Sequence, residues 1–97
     1  MKKLFTGLFL IFAAAVWAGD REYAHAAYAK DDFTTAAILY KKAAEQGDRL
    51  AQNNLGVMYA LGEGVLQDYA EAVRWFKLAA KQGDSAAQYE LANSYYS

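Results

Sequence analysis

The stretch Ala43-Ala44-Glu45-Gln46-Gly47-Asp48-Arg49-Leu50-Ala51-Gln52 returns 36 residues later as Ala79-Ala80-Lys81-Gln82-Gly83-Asp84-Ser85-Ala86-Ala87-Gln88. Each copy reads as the end of one helix, a one-glycine break and the start of the next. Alanines let two backbones approach, Gly47 and Gly83 can take the left-handed conformation that closes a helix, and Asp48 and Asp84 can cap the helix that follows. The register extends outward through Asp32/Asp68, Ala36/Ala72, Lys41/Lys77, Leu55/Leu91 and Tyr59/Tyr95, with aromatic exchanges at Phe33/Tyr69 and Tyr40/Phe76. A period of this length marks stacked supersecondary units, none of which can bury its apolar face alone.

Within this register the helices follow from the spacing of apolar residues. Residues 20–30 place Tyr23, Ala24, Ala27 and Tyr28 on one side of a first helix, and Asp31-Asp32 breaks it. From Phe33 to Gln46, apolar residues recur at three and four, the stripe of an amphipathic helix. A third helix over 50–61 buries Ala51, Leu55, Met58 and Tyr59, with Gly56 at the closest approach to a neighbour. In the loop 62–67, Val65 and Leu66 are expected to tuck beneath the hairpin. Asp68-x-x-Glu71 has capping-box spacing. The fourth helix is expected to bury Ala72, Trp75, Phe76, Ala79 and Ala80, and a fifth begins after Gly83-Asp84 with Ala87, Leu91 and Tyr95 in register.

Composition narrows the function. The formal net charge is −1, with no basic run beyond the first residues, which speaks against nucleic acid as a partner. With no cysteine there are no disulfides, thiolate nucleophiles or cysteine-based zinc sites; with no proline, every break rests on Gly, Asp or Asn. Lys2 and Lys3 precede an uncharged run from Leu4 to Val16, and Val16-Trp17-Ala18 offers small side chains where a signal peptidase reads. That run spans about 20 Å as a helix, short of the roughly 30 Å hydrocarbon core. The expectation is a signal peptide over 1–18, cleaved after Ala18, and a periplasmic or secreted product with no stable membrane insertion. Loss of the two lysines takes the net charge to −3.

Residues 51–87 resemble the Sel-one-like repeat family, a branch of the tetratricopeptide-like helical repeats. The resemblance rests on Ala51-x-x-x-Leu55-Gly56-x-x-Tyr59-x-x-Gly62-x-Gly64-Val65-x-x-Asp68-Tyr69-x-x-Ala72-x-x-Trp75-Phe76-x-x-Ala79-Ala80-x-x-Gly83-Asp84-x-x-Ala87. The first unit lacks the Gly-x-Gly-Val loop and looks like a plain tetratricopeptide hairpin; at the far end Ala92 replaces the glycine aligned with Gly56. The resemblance implies an all-α fold, a short right-handed α-solenoid of antiparallel hairpins. Its repeat domain spans 19–97, with units at about 20–48, 49–84 and an incomplete 85–97 that forms a terminal capping helix. Leu55, Gly56, Tyr59, Ala72, Trp75, Phe76, Ala79, Ala80 and Gly83 form the expected structural core.

The family geometry also implies a concave face lined by the first helix of each hairpin. By register this gives Arg21, His25, Tyr28, Asn53, Val57, Ala60, Tyr89, Asn93 and Tyr96 as partner-binding positions, a groove of tyrosines and amides suited to an extended or helical peptide. Each tyrosine could equally fill a gap between helices. His25 has no second His or Cys to join it in a metal site, and no metal or cofactor is expected. Ser85 follows a capping Asp, Asp31 and Asp32 lie at an exposed break, and nothing assembles a base around a nucleophile, so no catalysis is expected. The family points to an exported protein-interaction adaptor. The alternatives are a self-associating remnant that pairs through its C-terminal helix and, last, a β-lactam-binding or hydrolysing enzyme, which the missing cysteines of that subset disfavour.

Overall fold

The computed structural model describes residues 19–96, and the side chains among them through Asn93. The signal peptide expected over 1–18 and the side chain of Tyr96 therefore lie outside the described residues. Residues 19–29 are helical and are called α1. After it come α2 (Phe33–Glu45), α3 (Arg49–Leu61), α4 (Tyr69–Lys81) and α5 (Ser85–Tyr96). No strand occurs among the described residues. α3 packs against both α2 and α4, and α4 against α5, so neighbours in sequence are neighbours in space. None of the described helices is long and apolar enough to cross a membrane.

The repeated hinge has the expected geometry. Gly47 and Gly83 stand at φ 95° and 87°. After α2 the Gly47 amide donates to Ala44 O (3.0 Å) and the Asp48 amide to Ala43 O (3.1 Å); after α4 Gly83 and Asp84 repeat both bonds to Ala80 and Ala79. These are Schellman turns, which satisfy the carbonyls a helix end leaves over. The break after α1 makes the same pair of bonds, Asp31 to Tyr28 O and Asp32 to Ala27 O, but with Asp31 rather than glycine at φ 61°.

Asp32, Asp48, Asp68 and Asp84 cap α2, α3, α4 and α5 by accepting from the amides of Thr35, Ala51, Glu71 and Ala87. The capping box at Asp68 is only half formed, because the Asp68 amide donates to Tyr59 O at 2.9 Å and the Glu71 carboxylate turns to Arg74. A guanidinium offers that carboxylate charge-assisted bonds, which outcompete a backbone amide.

Two core clusters result. The first joins α1 to α4 through Ala24, Ala36, Tyr40, Ala44, Leu55, Met58 and Trp75; the second joins α4 to α5 through Ala72, Phe76, Ala79 and Ala87, with Val57, Tyr59 and Ala60 of α3 packed against it. Gly56 is a close approach: a Cβ there would lie 2.6 Å from the Phe76 ring. Of the expected core, Leu55, Gly56, Ala72, Trp75, Phe76 and Ala79 are buried, while Tyr59 and Ala80 are half-buried. Gly83 is exposed, so its structural part is the left-handed turn and not packing. Two loop and surface expectations are corrected. Val65 packs on the first cluster, but Leu66 is 91% exposed, and Tyr23 faces solvent, since α1 has no helix on that side among the described residues.

Candidate functional site: the groove between α1 and α3

α1 and α3 stand side by side as the first helices of successive hairpins and leave a half-open pocket of about 150 Å³ lined by His25, Tyr28, Tyr40, Asn54 and Val57. Its floor is the Tyr40 ring, which α2 sends fully into the core. The Tyr40 hydroxyl lies 3.4 Å from His25 Nδ1. Burial raises the Tyr40 pKa, against a hydrogen bond with Asn54 and the positive charge of Arg21. The site thus offers a neutral phenol, an imidazole and an amide around an apolar centre. Such a set can take one apolar or aromatic side chain and hydrogen-bond the backbone beside it.

Three of the nine positions expected on the concave face meet in this pocket: His25, Tyr28 and Val57. Tyr28 is tied to the fold as well, since its hydroxyl donates to Glu63 Oε1 at 2.8 Å and its ring meets Phe33 edge-on at 5.0 Å. The Glu63 bond is the first cause of its raised pKa, and burial the second. Arg21 lies nearby in α1, engaged by Glu22 and reaching Asp48, the cap of α3, at 3.6 Å. Asn53 turns its Oδ1 inward, where it is buried and unpartnered; it is its neighbour Asn54 that faces the pocket. Ala60 packs on the second core cluster, as one side of Val57 does. On α5, Tyr89 is 67% exposed and Asn93 is exposed.

Tyr40 and Asn54 are the lining residues that sequence reasoning passed over. Tyr40 belongs to the second helix of its hairpin and its apolar spacing marks it as core; nothing in that spacing tells that its hydroxyl reaches through to the groove. Asn54 is one of two adjacent asparagines, and nothing in the spacing tells which of Asn53 and Asn54 faces the groove.

Stacked helical hairpins with a lined groove between their first helices define an α-solenoid repeat protein. Comparison with protein families matches Sel1 repeat over residues 13–48, 49–84 and 85–97, and the chain belongs to that family. A comparison with curated proteins gave no match. Among solved structures, the chain is similar to a protective antigen present in uropathogenic Escherichia coli strains that displays an SLR fold, with 51% identity and a TM-score of 0.64. The alignment takes in 65% of this chain and 14% of that one, so this chain corresponds to a small part of that protein. Sel1 repeats are generally protein–protein interaction modules and typically non-catalytic scaffolds.

Proposed function

We propose that the protein is an exported adaptor that binds a segment of another polypeptide along the face formed by α1, α3 and α5, seating one apolar side chain in the pocket between α1 and α3. The observation that carries this is the pocket itself: an apolar centre ringed by His25, Tyr28, Tyr40 and Asn54, open to solvent on the side the first helices present. Tyr89 and Asn93 extend the contact along α5. No chemistry of its own is needed for such a role.

Capture from a periplasmic extract tests it. The wild-type protein should retain a polypeptide in fixed stoichiometry, and His25→Ala with Tyr89→Ala, both exposed and harmless to the core, should lose most of it. Retention of nothing, or retention unaffected by the pair, would reject the reading. Export rests on Lys2, Lys3, the apolar run and Ala18; the purified periplasmic form should begin at Gly19, and an intact Met1 in that fraction would count against cleavage.

A further inference from the structure

The inner joint of the repeat shows what fills a groove between a second helix and the following first helix. α4 lies there with Trp75 in one core cluster with Ala44 and Leu55, and Arg74 stacks on the indole at 4.4 Å. The Arg74 pKa is raised, first by its hydrogen bond to Glu71, with Glu45 of α2 among the lesser causes. The incoming helix therefore brings a large apolar side chain to an alanine–leucine floor and a cation toward Glu45, on a helix that also carries Lys41 and Lys42.

One period later the floor is kept, Lys77 keeps the charge of Lys41, and the one acidic rim position changes sign. Ala80, Lys81 and Leu91 take the places of Ala44, Glu45 and Leu55. With Arg74, Lys77 and Leu78 they line an open groove of about 500 Å³ between α4 and α5. Ala44 and Leu55 are buried beneath α4, whereas Ala80 and Leu91 are only half-covered among the described residues.

We propose that the α4/α5 groove docks an amphipathic helix of another protein which carries Asp or Glu followed by a large apolar side chain where α4 carries Arg74-Trp75. The apolar floor calls for the large side chain, as it does one repeat earlier. The rim of Arg74, Lys77 and Lys81 calls for carboxylates, because unlike charges at the edge of a contact set partner choice more than they add affinity. A second copy of this chain fits poorly: α2 carries Lys41 and Lys42, and α4 carries Arg74, Lys77 and Lys81, so like charges would meet. Of its acid-then-apolar pairs within helices, Glu22-Tyr23 of α1 has its carboxylate held by Arg21 at 3.0 Å, and Glu90-Leu91 of α5 is part of the groove itself. The groove is made by helices other than those of the α1/α3 pocket, and the proposal does not depend on that pocket.

Two fluorescent peptides with the sequence of residues 68–82, one unchanged and one carrying Arg74→Glu and Lys77→Glu, matched for helicity, test this by anisotropy against the full-length protein. The acidic peptide should bind about tenfold tighter or more, with the difference shrinking as salt rises. Lys81→Glu in the protein should abolish or invert the preference, and Lys81→Gln, which leaves the helix terminus without a repulsive charge, should reduce it. His25→Ala should change neither affinity, which separates this groove from the pocket. Equal binding of both peptides, no binding of the acidic one, or a preference that survives Lys81→Glu would overturn the proposal. So would a dimer, seen by sedimentation, that competes with the acidic peptide.

Discussion

Asp31 holds the left-handed position that glycine holds in the two later turns. Its Cβ makes that conformation costly, although Asp tolerates it better than most residues. Asp31→Gly should therefore stabilise the fold by about 0.5–1 kcal/mol, read as a higher urea midpoint with an unchanged slope. The opposite substitution type makes the converse point at Gly56. Gly56→Ala would drive a methyl into the Phe76 ring and should cost about 1–3 kcal/mol, despite alanine's better helix propensity. Gly47 and Gly83 could be read as turn formers from their place in the repeat. Asp31 could not, because Lys30-Asp31-Asp32-Phe33 contains no glycine, and an adjacent pair of Asp residues reads first as a cap.

Helix pairs in this molecule are joined by glutamines as much as by alanines. Gln52, 5% exposed, donates to Ala44 O at 3.1 Å, and Gln88 makes the same bond to Ala80 O one period on. Gln82 donates both to Gly47 O and to Gln52 Oε1, each at 2.9 Å, and so ties the end of α4 to the hinge between α2 and α3. Gln52→Ala removes one donor from the Ala44 carbonyl, which keeps the Gly47 amide, and one acceptor from Gln82, which keeps Gly47 O; a loss of about 0.5–1.5 kcal/mol is expected, measured by thermal or urea unfolding. All three glutamines were visible in the repeated stretch, yet helix periodicity gives no role to a polar residue near a helix end, so the network appears only once the hinges are adjacent in space. The same limit applies to Leu66: its apolarity suggested cover, but the turn made by Gly62 and Gly64 points it outward.

The loop after α3 is also fastened to α1, through the Tyr28 hydroxyl and Glu63. The pKa values of Tyr28, chiefly through this bond, and of Tyr40, chiefly through burial, are raised in the folded protein. The neutral phenols are thus favoured by folding. Their contribution is complete below the unfolded tyrosine value of about 10 and is lost as pH climbs from there through the raised folded values. Stability should fall over that alkaline range. Tyr28→Phe should lower stability at neutral pH by about 0.5–1.5 kcal/mol and flatten the alkaline fall, as followed by melting temperature against pH. An alkaline slope as steep as that of the wild type would show that the Tyr28 hydroxyl has no part in it.

Across the whole molecule the same physics decides how far cooperativity reaches. A repeat array is stable through its intrinsic units plus the interfaces between neighbours, so loss of one interface releases one end and leaves the rest folded. α5 is held by Ala87 and Leu91 on the second cluster and by Asp84, which is only 3% exposed. That carboxylate caps α5 at Ala87 N (2.9 Å) and accepts from Arg49 of α3 at 3.5 Å, joining two first helices across a repeat. Asp84→Ala removes the cap and the link together, at a cost of about 1–2 kcal/mol. Native-state hydrogen exchange should show this loss confined to α5, whose amides should exchange faster while those of α2 to α4 keep wild-type protection. Arg49→Ala should reproduce only a small part of it, because that arginine is half exposed and its ion pair is partly screened. If exchange accelerated equally in every helix, the chain would be folding as one unit, and the groove between α4 and α5 would be as firmly set as the inner joint that it copies.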